Sequence, residues 1–467
     1  MTLSQAKAQT WDVIIAGSSF AAMFFLRGLP ENLRVLVVEK GTIQPHADQL
    51  KNNILVEEDI SVDNRSGYLK RWKAHTLFGG NSNCWWACTP RFHPNDFRLN
   101  SLYGVGVDWP LSYDKLEPLY GEVERVMEIS GGGSDHILPR STPFPYPPHA
   151  PSRTDVALQA HSRNWFAQPT ARSNGGRRAQ CCVNGICDLC PVDAKFSIPN
   201  SVDLFAREGV SLLLDAEVRA VDVAASVARG VLVRDATGAE HLLKGDLVAL
   251  GTNAVWNAGI LLRSGLHSAA LGRYLHEQVA MTVLLDLGAG QRNYFGGTSI
   301  TGHGYDLYDG AHRADYGAVL MENHNAPAAL RGEQGRWTER LRLKLITEDL
   351  PVADNRVVLR DGEVVTEWGG HTDYGFKALD AAVAKLPDIL PFDIEGQIVS
   401  PRLVSEDHIQ GTHRMGVDPA DSVVDPELKC HGVRNLLALG AGAFPTGPAA
   451  NPTLTLSALS LRAGRAV

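Results

Sequence analysis

Short apolar runs and small-residue turns alternate at the start of the chain. Trp11–Ala16 is β-branched and apolar and reads as a buried strand. Gly17 and other small residues follow. The apolar stretch Ala21–Leu29 then reads as a helix, and Arg34–Val38 as a second strand ending at Glu39. Strand, tight turn, helix, strand is a βαβ opening with a right-handed crossover. Further strands are predicted at Val210–Leu214, Ala216–Val223, Arg229–Arg234 and Leu247–Leu250, with a turn at Thr237-Gly238. From about 280 to 400 the pattern shifts to alternating strands and polar turns, such as Met281–Leu287 and Arg356–Leu359. Gly131–Ser152 is rich in Gly and Pro and reads as an exposed connection. From 402 onward buried apolar character returns, and no internal repeat or low-complexity tract interrupts the chain.

These elements imply an α/β class, α+β overall. A Rossmann-like domain would be assembled discontinuously from 1–140, 195–275 and 402–467. Residues 141–194 would be a connection, and 276–401 an antiparallel-sheet domain for substrate. A chain of 467 residues has room for such a division and needs no disulfide staple to fold. The formal net charge of −8 argues against a nucleic-acid binder. The most apolar stretches, Leu247–Leu262 and Leu436–Leu461, are broken by Gly, Asn or Pro, so no membrane span is expected. Ten residues precede the first predicted strand, so no cleavable secretory signal is expected unless one was removed before the numbering begins. A cytoplasmic protein is expected, with periplasmic export on a signal-bearing partner subunit as the alternative.

The turn Gly17-Ser18-Ser19-Phe20-Ala21-Ala22 stands where a G-x-G-x-x-G would stand, with Ser19 and Ala22 at its second and third glycines. Its context makes it informative: a strand before, a helix after, and Glu39 22 residues past Gly17. In a Rossmann site the helix N-terminus receives a pyrophosphate and the acid binds a ribose hydroxyl. The bland alternative is a βαβ unit with no ligand.

The C-terminal part is more specific. It reads His408-Ile-Gln-Gly-Thr-His413-Arg-Met-Gly416, then Ser422–Asp425, Gly432–Leu436, Phe444-Pro445-Thr446 and Asn451-Pro452-Thr453-Leu454-Thr455. Phe78-Gly79-Gly80-Asn81-Ser82, Pro94–Phe97 and Asp108–Tyr113 precede it. This ordered series resembles the glucose–methanol–choline (GMC) oxidoreductase family. The C-terminus is most similar to pyranose 2-oxidases. The first half is most similar to the large subunits of bacterial glucose and gluconate dehydrogenases.

The resemblance implies FAD, a hydride passed from an alcohol carbon to flavin N5, and His408 as general base. Asn451 would orient the substrate oxygen. His413, in the same loop, is the competing base, or else a structural histidine. Expected flavin contacts are Gly17, Ser18, Ser19, Glu39, Lys40, Gly79, Gly80, Asn83, Cys84, Val218, Gly251, Gly440, Ala441, Asn451, Pro452 and Thr453. Cys84 stands where pyranose 2-oxidase-like sequences carry a histidine bonded to flavin, so noncovalent FAD is expected, with a cysteinyl link as the other reading. Trp85 and Trp86 are wall or core aromatics. Between 280 and 400 the resemblance thins. Residues such as His303, Tyr305, Glu322 and His324 lie there without selecting a sugar over another alcohol.

Cys181, Cys182, Cys187 and Cys190 fall within ten residues, followed by Pro191. Such a set fits iron–sulfur ligation better than one tetrahedral zinc, with a disulfide knot or free thiols as the other readings. It also resembles the cysteine stretch of the dehydrogenase large subunits, which implies a [3Fe-4S] or other iron–sulfur cluster. One residue is missing between Cys187 and Cys190. A cluster would make the protein a dehydrogenase that feeds a cytochrome-type acceptor, beside a small subunit. Without it, an oxidase that reduces O2 is the alternative. A third reading is a flavin electron-transfer subunit with no substrate chemistry of its own.

Overall fold

The computed structural model describes residues 1–52, 56–293, 295–325, 336–402 and 405–467. Its first sheet runs, in order, Val210–Leu213, Val35–Val38, Thr10–Ala16, Glu240–Leu250, Val227–Asp235 and Ala216–Ala224. Leu436–Ala438 also pairs with Glu240–Leu250. The strands nearest the N-terminus run parallel, with Val13 beside both Val35 and Leu247. Val35–Val38 is buried at every position, as an interior parallel strand requires. Three segments of the chain thus build this sheet, residues 10–38, 210–250 and 436–438. The first helix after the turn is Phe20–Gly28, and it packs against the terminal helix Thr453–Arg465.

The second sheet is antiparallel throughout. Its order is Ile394–Val399, Val279–Leu287, Arg340–Thr347, Val319–His324, Ile300–Gly304, Trp165–Thr170 and Ser130–Gly132. One face of its central strands, including Val283, Leu285, Leu343 and Leu345, is buried with Leu379 and Leu386 of the helix Asp373–Ile389. The alternate residues, Thr282, Arg342 and Lys344, point the other way, as the period of two demands. That opposite face bounds the cavity described below.

The expected fold class is the one observed. The connection expected over 141–194 carries more structure than a linker. It includes the helix Arg153–His161, which starts in a Ser152/Asp155 capping box, and the strand Trp165–Thr170, which joins the second sheet. Ser130–Gly132 lies at that sheet's end, although its glycines read as loop. No helix among the described residues is long and apolar enough to cross a membrane.

Candidate active site

A cavity of about 710 Å³ lies between the two sheets. That is in the range of small-molecule and cofactor sites. Gly17, Ser18, Ser19, Glu39, Lys40 and Gly251 line one part of it, with Val218 beside them. Gly440, Ala441 and Asn451–Thr453 line another.

The turn at Gly17 needs its glycine. Its φ is +90°, and a Cβ there would stand 2.8 Å from the carbonyl oxygen of Gly251. Ser19 caps the Phe20–Gly28 helix without a side-chain hydrogen bond, so the first amides of that helix keep their hydrogen-bonding capacity. Pro452, before Thr453–Arg465, gives no side-chain cap either. Two uncapped helix starts therefore border one cavity, the arrangement that receives phosphate charge. Glu39 accepts from Ser18 Oγ at 2.5 Å and from the Gly41 amide at 2.9 Å, and burial pushes its carboxyl above the usual range.

Gly79 and Asn83, expected as flavin contacts, do not line the cavity. Both shape the loop instead. Gly79, at φ +89°, donates its amide to Ser18 Oγ at 2.8 Å. Asn83 Nδ2 donates to the carbonyls of Phe78 and Gly80 at 3.0 and 2.9 Å. Gly80 and Cys84 do reach the wall. Burial pushes the Cys84 thiol up to about 11, which keeps it protonated and weakly nucleophilic. Both tryptophans line the cavity: Trp85 packs edge-on against Phe20 with ring centroids 4.6 Å apart, and Trp86 stacks over His324.

His408 and Asn451 line the same cavity, from opposite ends of the C-terminal segment. Asp407, at φ +55°, turns the chain just before His408, and aspartate tolerates that left-handed conformation. The loop is pinned by backbone hydrogen bonds between His276 and Gln410 at 2.9 and 3.0 Å. It is also held by the buried Glu277, which accepts from Ser405 Oγ and the Glu406 amide, each at 3.2 Å.

Gln278 joins the two expected catalytic residues, and nothing in the sequence singled it out. Its Nε2 donates to the carbonyls of Pro448 at 2.8 Å and Ala450 at 3.2 Å, immediately before Asn451. That fixes the amide, so its Oε1 faces His408 Nδ1 at 3.2 Å as an acceptor. His408 must therefore carry its proton on Nδ1, which leaves a lone pair on Nε2. Burial pushes His408 down to about 4, with the Lys344 ammonium adding to the effect. The ring is neutral near pH 7 and able to accept a proton. Asn451 Oδ1 is buried and has no partner among the described residues, so a ligand is needed to satisfy it.

His413 is absent from the cavity wall. It is fully buried, with Nδ1 3.1 Å from Thr412 Oγ1 and Nε2 3.3 Å from the Leu439 carbonyl. Its ring fills the space over Gly442, where a Cβ would collide with the imidazole. This is the packing of a structural histidine.

Among the described residues, no three His, Cys, Asp or Glu side chains gather to hold a metal ion. Cys187 and Cys190 are buried, Cys181 is half-buried and Cys182 exposed. The cysteine set is thus not drawn into one ligand cage. The segment nonetheless lies against the cavity wall. The buried Lys195 donates to the carbonyls of Asn83, Trp85 and Cys187 at 2.7, 2.9 and 2.5 Å. Burial pushes the Cys187 thiol up, while Arg172 and Lys195 act in the opposite direction.

Residues 378–460 match the family model described as GMC oxidoreductase. The chain is 26% identical to the fructose dehydrogenase large subunit of Gluconobacter japonicus, over 98% of this chain and 97% of that protein. It is 28% identical to the 6'''-hydroxyparomomycin C oxidase of Streptomyces lividus, over 98% of this chain and 91% of that one. The fold matches the crystal structure of pyridoxine 4-oxidase from Mesorbium loti with a TM-score of 0.70 at 18% identity, covering 98% of this chain and 99% of that one. The C-terminal part thus matches the GMC oxidoreductase family, and the chain as a whole is similar to enzymes of that kind.

A GMC oxidoreductase is a flavoprotein, and this cavity fits FAD. The orphaned Asn451 Oδ1, the two uncapped helix starts and the buried Glu39 offer complementary groups for the flavin, the pyrophosphate and a ribose respectively.

Proposed function

We propose that this protein is a GMC oxidoreductase that oxidises an alcohol group of a sugar or other polyol, with His408 as general base and Asn451 holding the substrate oxygen. FAD, when bound, supplies the acceptor for the hydride that leaves the carbon. Gly17–Ser19, Glu39, Lys40, Gly440 and the Asn451–Thr453 turn would hold it. His408 Nε2 takes the hydroxyl proton. The Gln278 amide keeps that nitrogen unprotonated and turned to its task, and the Asn451 amide fixes the oxygen from which the proton leaves. The clamp of Gln278 on both His408 and the 448–450 carbonyls is the observation that carries this reading. A base of this kind contributes about 10²–10⁴ in rate.

Similarity to a fructose dehydrogenase large subunit supports a sugar substrate, a partner subunit and an electron-carrying acceptor. Similarity to an aminoglycoside oxidase supports O2 as the alternative acceptor.

One preparation tests both points. The absorption spectrum of the purified protein, with iron and sulfide analysis, reports flavin and cluster together. Iron and sulfide alongside flavin support the dehydrogenase, and peroxide without iron supports the oxidase. Anaerobic bleaching by polyols then reports the half-reaction. His408→Ala should slow bleaching by about 10²–10⁴ with FAD retained. Bleaching at the wild-type rate removes His408 from the mechanism.

A further inference from the structure

The cavity wall contributed by the second sheet is charged. Arg340, Arg342 and Lys344 alternate along one strand and project from the same face. Two of them have an acid. Arg340 Nε donates to Asp286 Oδ1 at 2.6 Å, directly across the ladder, and Lys344 Nζ to Glu406 Oε2 at 2.5 Å. Glu322, on the neighbouring strand, has His324 Nε2 at 3.0 Å and His303 Nε2 at 3.5 Å. Arg342 differs. Its partner across the ladder is Leu284. Among the described residues its guanidinium makes no hydrogen bond or ion pair, and burial alone depresses it. It is half-buried and lines the cavity.

A guanidinium that has lost part of its water and gained no anion is costly. Glu322 and Glu406 are already taken up by His324 and Lys344, so the missing counter-charge must arrive with the ligand. It is not expected from the FAD pyrophosphate, because the helix starts that would receive those phosphates belong to Phe20–Gly28 and Thr453–Arg465, whereas Arg342 belongs to the second sheet.

We propose that the substrate is an anionic polyol, a sugar acid or sugar phosphate, whose carboxylate or phosphate pairs with Arg342 while its reacting hydroxyl meets His408. This rests on the alcohol-oxidation reading of the same cavity. The spacing agrees. Lys344 lies close enough to His408 to depress its basicity, and Arg342 stands two residues further along the strand, about 7 Å by strand rise. A short polyol chain bridges that separation. The planar fork of arginine matches carboxylate and phosphate equally well. Thr282 and the face of Trp86 line the wall nearby and suit the hydroxyls and ring of such a molecule.

The test uses the FAD-loaded protein with glucose, gluconate and glucose 6-phosphate as probes, by calorimetric titration and by anaerobic bleaching. At least one anion should bind about tenfold or more tightly than glucose, and Arg342→Gln should abolish that advantage. Arg342→Lys should restore part of it, and added salt should shrink it. Gluconate alone gaining identifies a carboxylate site, and glucose 6-phosphate alone a phosphate site. Anions that bind no better than glucose, or an advantage that survives Arg342→Gln in a protein of unchanged melting temperature, overturn the proposal. The two readings fail separately. Arg342-dependent anion binding with no bleaching by any polyol keeps the anion site and sinks alcohol oxidation. His408-dependent bleaching with no anion advantage does the reverse.

Discussion

At the residue scale, the tautomer of one imidazole follows from an amide that no motif marks. Two carbonyls claim Gln278 Nε2, so Oε1 is left for His408 Nδ1. Gln278→Leu leaves that N–H without its acceptor and frees the ring to turn. Bleaching should slow by about tenfold or more, and because the Pro448 and Ala450 carbonyls lose their donor as well, the rate is read on protein shown to be FAD-loaded. Gln278→Glu gives a different signature. His408 sits near 4, so wild-type kcat/KM should lose its base only as pH falls towards about 4. A carboxylate at that Nδ1 favours the imidazolium and raises the histidine. The acid limb should then move to higher pH, and a pH profile of the bleaching rate reads it directly. An unmoved limb would mean that another group is the base.

At the element scale, two helices meet where glycines face each other. A Cβ on Gly28 would fall 2.5 Å from the Leu461 carbonyl oxygen, and one on Gly464 would press on the Phe25 carbonyl. The helices Phe20–Gly28 and Thr453–Arg465 can therefore lie almost backbone to backbone, with both N-termini at the cavity. Gly464→Ala should push them apart. We expect a cost of about 1–3 kcal/mol in unfolding free energy, as for overpacking, together with weaker FAD retention measured by equilibrium dialysis. Loss of stability with undiminished FAD affinity would separate the helix contact from the site.

This scale also shows what the sequence could reveal. Val35–Val38 and Phe20–Gly28 were legible because buried runs and the small-residue turn are local signals. The predicted Leu247–Leu250 is only the inner end of Glu240–Leu250, whose Leu243–Asp246 stretch alternates buried and exposed positions. Trp165–Thr170 escaped notice because Gln168 and Pro169 break its apolar pattern, although both are buried in place. In the site, Gly17 and Glu39 stood out through motif spacing and His408 and Asn451 through the family resemblance, and all four line the cavity. Gln278 and Arg342 did not. Their roles arise from partners gained or lacking across the fold, which spacing along the chain does not encode.

At the scale of the whole molecule, the cavity is a shared boundary. The first sheet supplies the turn at Gly17 and the acid at Glu39. The second supplies Thr282, Glu322 and Lys344. The main hydrophobic core also crosses between them, because Ala280, Leu320 and Ile346 of the second sheet pack in one cluster with Ile14, Val37 and Leu250 of the first. A ligand that fills the boundary should therefore tie both sheets into one unfolding event. FAD at about a hundred times its dissociation constant should add about 2.7 kcal/mol to the folded state. Scanning calorimetry should show a single main transition that rises with FAD concentration. Circular dichroism, which follows backbone order, should melt at the same temperature as the fluorescence of the nine tryptophans, which include residues of both sheets as well as Trp85 and Trp86 beside the cavity. If added FAD instead raises one of two resolved transitions and leaves the other in place, the sheets unfold independently. The cofactor would then belong to the first sheet alone, and the second would be a substrate platform whose stability owes nothing to it.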